Sequence, residues 1–461
     1  MKAQEIALEK ISNIIDCEYK TAPSDENGEY YLVGTSILRD GKINLEDANR
    51  VSYSTYREWT QRRVPQAGDI IISREAPVGE AGLIKEGCKV CLGQRTVLIQ
   101  PKKKIVDNLY LLYFLISLYT KDQFSVLSTG SVVPRLNLKD LRSFRVAVPH
   151  LSEQEAIATY LDTKTAQIDR KIDLLTQKAQ RYEELKRSLI NETVTGKRRI
   201  DNGELIIDKK IDNRKLIIDN GEGEKNCQLS TVNYPLYKDS GIEWIGEIPQ
   251  HWECSLIKRF LCALTDYTAN GSFAVLAENV SYQESGYARL VRLTDLRQGF
   301  NNSGLFVSEN AYNFLSKTKI RGGEILIANV GAYTGLVQLV PNIDFKATLG
   351  PNMFLAVFDN KLLHKFISYQ LGSSSCFQQL RVQMTTTAQP KLNKDNFRSI
   401  SIVIPPIDEQ RKIVDYLDAK TSQIDQIIQT IKSSIEKQKE LRKTLINDVV
   451  TGKIKVIDNG E

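Results

Sequence analysis

The sequence PHLSEQEAIATYLDTKTAQID, residues 149–169, determines the architecture, because a close version of it occurs a second time. The second version, PPIDEQRKIVDYLDAKTSQID, covers residues 405–425. An ungapped alignment of residues 149–197 with residues 405–453 gives about 22 identities in 49 positions. A solenoid repeat holds only roughly 20 to 50 residues, far fewer than separate these two copies. The sequence therefore predicts a duplicated module.

Each copy has the residue spacing of a long coiled-coil helix. The stripe positions are three or four residues apart, and they are Ile168, Ile172, Leu175, Ala179, Tyr182, Leu185 and Leu189 in the first copy and Ile424, Ile428, Ile431, Ile435, Gln438, Leu441 and Leu445 in the second. Ser152, with Glu155 three residues later, predicts a capping box, and Gly196 predicts a left-handed helix end. A helix of about 44 residues would be roughly 65 Å long.

A helix with one apolar stripe must bury that stripe against a partner, and the nearest matching stripe belongs to the other copy. We therefore predict that the two helices pair antiparallel within the chain. An approximate two-fold axis would then relate the two halves, with one globular domain at each end of the helix pair.

The remaining sequence predicts two mixed α/β domains. In the first, residues 67–73 are a turn leading into a strand, residues 96–99 are a second strand, residues 109–119 form a helix, and residues 144–148 form a strand that stops at Pro149. The second half repeats this order with a turn and strand at residues 322–328 and strands at residues 354–357 and 400–404. The sequence Pro-Lys-Leu-Asn at 390–393 corresponds to Pro-Arg-Leu-Asn at 134–137.

Residues 200–228 differ in kind from both halves. Residues 200–208 are nearly repeated at residues 211–219, and the charged, glycine-containing pattern predicts a linker, with a short tandem hairpin as the alternative. The predicted segments are residues 1–148, the first domain; 149–199, the first long helix; 200–228, the linker; 229–404, the second domain; and 405–461, the second long helix with a C-terminal tail.

Composition limits the class of protein. The chain has 461 residues, 41% apolar and 26% charged, which is enough for two to four units with substantial cores. No stretch approaches the roughly 18 to 20 apolar residues that cross a bilayer, and the N-terminal residues have no apolar signal region, so we expect a cytoplasmic protein. The seven scattered cysteines predict reduced thiols. The net charge of +6 permits a polyanionic partner.

Catalytic motifs were sought without success. Pro405-Pro406 is flanked by isoleucines and so cannot belong to an Asn/Asp-Pro-Pro-Tyr/Phe tetrad, and no glycine fingerprint or phosphate loop is present. The sequence Thr195-Gly196-Lys197 is better interpreted as a helix stop. Cys88 and Cys91 have no second pair nearby, so two ordinary strand cysteines are favoured over a zinc site. With three dispersed histidines, the sequence predicts a chain that catalyses nothing alone and binds no metal.

The duplicated helix, with Glu-Gln near its start and Thr-Gly-Lys at its end, resembles the DNA-specificity subunit of type I restriction-modification enzymes. Residues 237–252, YKDSGIEWIGEIPQHW, resemble a signature that opens one of that family's target-recognition domains. The first half lacks this opening, so its domain is expected to belong to a different subtype. The resemblance implies an α+β fold in which two mixed α/β target-recognition domains are separated by a pair of long antiparallel coiled-coil helices, with an internal pseudo-two-fold repeat.

The resemblance also implies partners. The chain would select the sequence of double-stranded DNA, two methyltransferase subunits would modify one adenine on each strand, and two motor-nuclease subunits would translocate and cut. S-adenosylmethionine, ATP and magnesium would be bound by those partners, and no cofactor by this chain. Because the two domains differ in sequence, the target is expected to be bipartite and non-palindromic.

Base edges and phosphates are contacted by Arg, Lys, Asn, Gln and hydroxyl side chains on loops. The candidates of this kind, together with two tyrosines in similar settings, are Tyr56, Arg57, Arg62, Arg63, Arg74, Gln94, Arg95, Ser131 and Arg135 in the first domain and Asn329, Tyr333, Asn352, Thr385, Thr386, Thr387, Gln389 and Lys391 in the second. The alternative for each is a solvated loop side chain.

Polar residues that recur in both helices outside the stripe are candidates for docking the methyltransferase subunits, because two identical partners need the same surface twice. They are Glu153, Gln154, Asp162, Lys164, Gln167 and Asp169, with Glu409, Gln410, Asp418, Lys420, Gln423 and Asp425. Their alternative is an ordinary solvated helix face. The alternative function for the whole chain is a non-catalytic coiled-coil scaffold that binds protein or RNA.

Overall fold

The computed structural model describes residues 4–128, 134–201, 204–206, 237–298, 303–384 and 389–456. The chain forms two compact units. Unit 1 comprises Met1–Lys178 with Thr430–Glu461, and unit 2 comprises Ala179–Gln429. Each unit therefore contains a part of each long helix. In the described part of the chain, no helix combines the length and the hydropathy needed to cross a membrane.

The elements up to the end of the first long helix are, in chain order, β1 Gln4–Ala7, α1 Leu8–Ile11, β2 Ser12–Asp16, β3 Tyr30–Val33, β4 Leu38–Arg39, β5 Lys42–Ile43, β6 Asn49–Val51, α2 Tyr53–Trp59, β7 Ile70–Ser73, β8 Ala81–Leu83, β9 Val90–Leu92, β10 Thr96–Pro101, α3 Asn108–Ile116, α4 Leu118–Leu127, α5 Leu138–Ser143, β11 Arg145–Val148 and α6 Leu151–Val194.

The elements that follow are β12 Arg199–Asp201, β13 Glu204–Ile206, β14 Tyr237–Asp239, β15 Glu247–Pro249, β16 Glu253–Leu256, β17 Leu261–Asp266, α7 Phe273–Asn279, β18 Ala288–Val291, α8 Leu293–Arg297, β19 Leu305–Val307, α9 Glu309–Phe314, β20 Lys319–Ile320, β21 Ile325–Ala328, β22 Val337–Leu339, β23 Ala347–Leu349, β24 Met353–Phe358, α10 His364–Leu371, α11 Ser374–Gln383, α12 Lys394–Arg398, β25 Ser401–Ile404 and α13 Ile407–Val450.

The two units share a sheet arrangement. Unit 1 has an antiparallel sheet in the order β2-β10-β7-β8, and unit 2 has the matching order β17-β24-β21-β22. Each unit also has a second sheet with one parallel pair, β3 with β9 in unit 1 and β18 with β23 in unit 2. Because β7, β10, β21 and most of β24 are buried, their β-branched and apolar residues form the centre of each core.

The predicted helix at residues 109–119 is interrupted. Ser117 ends α3 and begins α4, and its side chain accepts a hydrogen bond from the backbone N–H of Thr120. A serine N-cap favours this new start over continuation of the first helix. The corresponding break in unit 2 is at Ser373, whose side chain accepts from the N–H of Cys376.

The long helices were predicted correctly in extent, but not in their first turn. Helix α6 begins at Leu151, so Ser152 lies inside the helix and the predicted capping box is wrong. The backbone carbonyl of His150 already accepts from the N–H groups of Glu153 and Gln154. Gly196 and Gly452, with φ angles of 75° and 74°, follow the ends of α6 and α13 in the left-handed conformation.

The two long helices run antiparallel within each unit. In unit 1, Ile157 and Leu161 near the start of α6 share a core with Ile446 and Val449 near the end of α13. In unit 2, the end of α6 packs against the first half of α13. Leu189 and Val194 share a core there with apolar residues between positions 413 and 428. The antiparallel pairing that the sequence predicts is confirmed.

The predicted stripe fails at one pair of matched positions. Leu185 and Leu441 are 46% and 51% exposed. The next residues, Lys186 and Arg442, instead form ion pairs to the opposite helix, with Asp425 and Asp169 respectively. A straight α-helix turns about 100° per residue, so residue 186 lies directly above residue 168, five turns earlier, while residue 185 points elsewhere.

The linker begins with a hairpin. Strands β12 and β13 pair antiparallel, with Arg199 opposite Ile206. This strand pair lies in the first copy of the repeat, and the tandem-hairpin alternative stays a prediction because the second copy, residues 211–219, lies outside the described residues.

Candidate nucleic-acid interface

Three arginines predicted to touch DNA lie together at one edge of the first sheet in unit 1. The end of β7 lies beside the start of β10, because Ser73 pairs with Thr96. The backbone N–H of Arg74 donates to the carbonyl of Arg95 at 2.8 Å, and a β-bridge joins Glu75 to Arg135. The sheet thus brings Arg74, Arg95 and Arg135 to the rim of one cavity of about 250 Å³.

Arg74 supports this rim and does not project from it. Its side chain is buried, with Nη1 3.1 Å from Oδ1 of Asp16 and Nε donating to the carbonyl of Leu136 at 2.9 Å. Burial alone would lower the pKa of the guanidinium, but Tyr19 and Asp16 raise it above its usual value. This arginine has no exposed edge to offer a base, which corrects the expectation for Arg74.

The other two arginines share one carboxylate. Nε of Arg95 lies 3.1 Å from Oε2 of Glu75, and Nε of Arg135 lies 3.1 Å from Oε1. The carboxylate is mostly buried, whereas both guanidinium groups are about half exposed. We call Arg95 and Arg135 on Glu75 the arginine pair.

Other candidates in unit 1 lie near this rim. Gln94 donates to the hydroxyl of Thr21 at 3.2 Å. Arg62 pairs with Glu18 at 3.2 Å and also donates to the carbonyl of Asp16. Both side chains are exposed and remain candidates.

The aromatic and basic candidates in and just after α2 have different surroundings. Tyr56 stacks on Tyr30 with a ring distance of 4.2 Å, and burial raises the pKa of its hydroxyl. This tyrosine packs against a small core, so its main contact is structural. Arg57 and Arg63 are exposed. Ser131 lies outside the described residues.

Unit 2 repeats the backbone of this rim with different side chains. Asn329 takes the place of Arg74, since its N–H donates to the carbonyl of Asn352 at 3.1 Å. Asn352 takes the place of Arg95, and both have left-handed backbones with φ angles of 65° and 67°. Lys391 takes the place of Arg135, in a β-bridge with Val330.

In the described part of this second rim, one buried side chain has an unsatisfied oxygen. Asn329 is 8% exposed, and its Oδ1 has no hydrogen-bond partner among the described residues. Lys391, Asn352 and Gln389 are exposed. Thr385, Thr386 and Thr387 lie outside the part of the chain that is described.

Tyr333 forms an aromatic contact that the sequence did not reveal. The guanidinium of Arg297 lies 4.3 Å from the centre of its ring, and the tyrosine is 46% exposed. An arginine stacked on a tyrosine is a common surface for nucleic acid. Sequence reasoning missed both Arg297 and Glu75, which are identified only by their spatial neighbours Tyr333 and the arginine pair.

Several of the predicted docking residues have internal roles. Gln154 and Gln410 are fully buried, and each amide bonds backbone groups in a loop of the neighbouring domain, before α3 and before α10 respectively. They are not available to a partner, which corrects the expectation for both. Glu409 accepts from Nε1 of Trp252 at 2.9 Å, within the segment that opens the second domain.

The four repeated aspartates also contact their own chain. Asp418 accepts from the hydroxyl of Tyr369 at 2.7 Å, and Asp162 lies 3.4 Å from the hydroxyl of Tyr113. Burial raises the pKa of Tyr369 to about 12. Asp169 and Asp425 form the ion pairs between the helices. The exposed remainder of the set is Glu153, Lys164, Gln167, Lys420 and Gln423.

No group of three or more His, Cys, Asp or Glu residues in the described ranges has the arrangement of a metal site. Cys91 is buried in β9, and burial raises the pKa of its thiol to about 12, which opposes the thiolate that zinc requires. The expectation of an ordinary strand cysteine therefore suits Cys91, but it is wrong for Cys88, which precedes β9 and lies outside any strand.

The chain matches the family described as Type I restriction modification DNA specificity domain, over residues 3–184 and again over residues 273–437. Together these ranges cover about three quarters of the 461 residues. The chain belongs to this family. Specificity subunits are the non-catalytic, DNA-recognising members of type I restriction-modification systems, and this protein is one of them.

Similar specificity subunits match along almost the whole chain. The specificity subunit of the type I restriction enzyme MjaVIII from Methanocaldococcus jannaschii is 22% identical over 444 residues, 93% of this chain and 87% of that protein. The specificity subunit of the type I restriction enzyme EcoKI from Escherichia coli is 20% identical over 436 residues, 92% and 82% of the two chains.

This chain shares its fold with a solved structure whose description concerns complex assembly and conformational transition of the type I R-M system. The match has a TM-score of 0.66 and 14% identity, and it covers 98% of both chains. This likeness confirms the fold class expected for a specificity subunit.

Proposed function

We propose that this specificity subunit reads a bipartite, non-palindromic DNA target, with one half-site for each unit. The observation that carries the proposal is the pair of matched rims. The same backbone presents Arg95 and Arg135 in unit 1 but Asn352 and Lys391 in unit 2. Guanidinium and amide side chains bond different base edges, so the two half-sites should differ in sequence.

The exposed repeated residues support docking of two methyltransferase subunits. Lys164 and Gln167 are three residues apart on one face of α6, and Lys420 and Gln423 have the same spacing on α13. No ion pair or hydrogen bond of the described residues uses these side chains. Two copies of one surface suit two copies of one partner. Two motor-nuclease subunits would complete the complex in the cytoplasm, and the partners would bind S-adenosylmethionine, ATP and magnesium.

Mapping of methylated adenines tests the proposed target. Genomic DNA from cells with and without this gene would be sequenced for N6-methyladenine. We expect one motif to depend on the gene, made of two unlike blocks with an unread gap. A gene-dependent motif that is palindromic or continuous would contradict the bipartite proposal.

Charge reversal tests the docking surface. Lys164→Glu with Lys420→Glu should remove both methyltransferase subunits, and either change alone should leave a complex with one. The matched control is Arg187→Glu with Lys443→Glu, which reverses two exposed charges at equivalent positions on the opposite side of each helix. Light scattering gives the mass of each complex, and full assembly of the first double variant would count against the surface.

The alternative is a scaffold that binds protein or RNA. The salt dependence of binding distinguishes a scaffold from a DNA reader. A specific reader keeps a strong sequence preference as salt weakens its phosphate contacts, whereas a scaffold shows no preference among duplexes at any salt concentration.

A further inference from the structure

We propose that the arginine pair recognises guanine in the half-site read by unit 1, and that Glu75 is the positioning residue that fixes both guanidinium groups. This inference rests on the proposed function. It adds the identity of a base, the atoms of that base, and the side chains that select it.

The first support is the geometry of the carboxylate. Each oxygen of Glu75 is 3.1 Å from Nε of a different arginine. The Glu75 side chain is 14% exposed, against 57% for Arg95 and 47% for Arg135. No other ion pair or side-chain hydrogen bond of the described residues involves either guanidinium. Contact through Nε therefore leaves the terminal amino groups of both arginines available to a ligand.

The second support is the backbone of Arg95. Its φ angle is 67°, in the left-handed region that residues other than Gly, Asn and Asp rarely adopt. Strained conformations of this kind persist where the surrounding structure enforces them, and they are concentrated at functional sites. Here the bond from the N–H of Arg74 to the carbonyl of Arg95 and the start of β10 hold the conformation.

The third support is the local charge, which favours a base over a phosphate. A phosphate contact needs only positive charge, and a carboxylate between the arginines would repel phosphate oxygens. Guanine offers two acceptors, O6 and N7, on its major-groove edge, and arginine donates to both at once. An arginine already held by a carboxylate loses less side-chain freedom on binding, so its donors are pre-organised for such a planar edge.

Unit 2 provides the internal comparison. Val330 stands where unit 1 has Glu75, and the flanking positions are Asn352 and Lys391. No carboxylate can fix the lysine there through this position. The guanine-selecting arrangement therefore belongs to unit 1, and removing it should leave the half-site of unit 2 unchanged.

The test begins with the target of the whole chain. Duplexes bound by the purified chain would be selected from a randomised library, and the motif would be compared between wild type, Arg95→Ala and Arg135→Ala, since lysine would keep both the charge and a donor for guanine. We expect each variant to relax one guanine position in the same half-site and to leave the other half-site intact. The retained half-site also shows that the variant is folded.

An atomic substitution in the DNA then isolates the contact. 7-Deazaguanine keeps Watson–Crick pairing but replaces the N7 acceptor with a C–H group. At the assigned position it should weaken binding of wild type by about fivefold or more, since a bidentate pair discriminates by roughly 5- to 150-fold. The arginine variant should bind both duplexes within about twofold. For each protein, the affinity for the guanine duplex is divided by the affinity for the 7-deazaguanine duplex. The wild-type value divided by the variant value measures the coupling between the arginine and N7 of the base.

Glu75→Gln tests the positioning role. It keeps the size of the side chain and removes its charge, so both arginines remain but are no longer held. We expect the preference for guanine over 7-deazaguanine to fall several-fold while the salt dependence of binding stays the same. The control is Glu46→Gln, the same change at an exposed glutamate of unit 1 outside the candidate set, which should leave the 7-deazaguanine ratio unchanged.

Two results would overturn the inference without touching the proposed function. One is a bipartite motif in which neither arginine variant changes a guanine position. The other is an equal loss of affinity by the variants on every duplex, with a salt slope lower by about one, which identifies a phosphate contact. If wild type selects no motif at all, the proposed function fails together with the inference.

Discussion

Gln410 has no exposed surface, and its amide connects the start of α13 to the loop before α10. Nε2 donates to the carbonyls of Lys361 and Pro405, and Oε1 accepts from the N–H of Leu363, all at 2.9 Å. Gln154 makes the equivalent three bonds in unit 1. The recurrence of this residue is explained by the need to join a domain to its helix.

Gln410→Leu should lower the free energy of unfolding by about 3 kcal/mol, because it leaves three buried backbone groups without partners. Gln423→Leu is the matched control on the same helix, since Gln423 is exposed and should change stability by less than about 0.5 kcal/mol. Urea denaturation measures both. Equal effects would show that the buried amide is not needed to join the domain to α13.

Gly196 and Gly452 give a second matched pair. Both have left-handed backbones, so alanine at either position should cost about 1 kcal/mol of conformational strain. A Cβ on Gly196 would also meet Pro249 and Trp252, whereas one on Gly452 would meet nothing within 4 Å. Gly196→Ala should therefore destabilise more than Gly452→Ala by about 1 to 3 kcal/mol. Thermal unfolding of the two variants compares them, and equal midpoints would contradict the contact.

The residue scale also limits what the sequence could predict. The sequence located the loops that hold Arg95, Arg135, Asn352 and Lys391, because turn residues and strand ends are local signals. It could not separate exposed Arg95 from buried Arg74, since that difference depends on Asp16, which lies 58 positions away in the chain. The role of Glu75 could not be predicted either, because its partners Arg95 and Arg135 are distant from it in the sequence.

At the scale of elements, the two long helices use a different ion pair in each unit. Arg442 is buried, lies 3.0 Å from Asp169, and donates to the carbonyl of Asp40 at 3.0 Å. Lys186 occupies the equivalent position and lies 2.6 Å from Asp425, which is 57% exposed. The apolar repeat predicted both helices and their direction. It did not predict these pairs, because the drift of a straight helix against a seven-residue repeat accumulates over five turns.

Arg442→Met should lower the free energy of unfolding by about 2 kcal/mol, because Asp169 and the carbonyl of Asp40 lose a buried partner. Lys186→Met should change it by less than about 1 kcal/mol, since its partner is solvated. Hydrogen exchange of α6 and α13 follows each unit separately. A larger effect for Lys186→Met would contradict this assignment.

At the scale of the whole molecule, we propose that two unlike readers on one duplicated frame recognise two unlike half-sites. The duplication, the helices and the order of strands could be predicted because they repeat in one chain. The bases could not, because the polar side chains of the rims are where the two copies differ. The helix pair would then set the distance between the half-sites, and its length is the quantity to change.

Inserting seven residues into each long helix is the most direct test of that account. In unit 1 the contact of Asp169 with Arg442 places Gln177 opposite position 434, so insertion after Gln177 and after Ser433 keeps the helices in register. Seven residues preserve the apolar repeat and add about 10.5 Å, or roughly three base pairs. Selection of bound duplexes from a randomised library should return both original blocks with a gap about three base pairs longer. An unchanged gap, or a change in either block, would contradict the account.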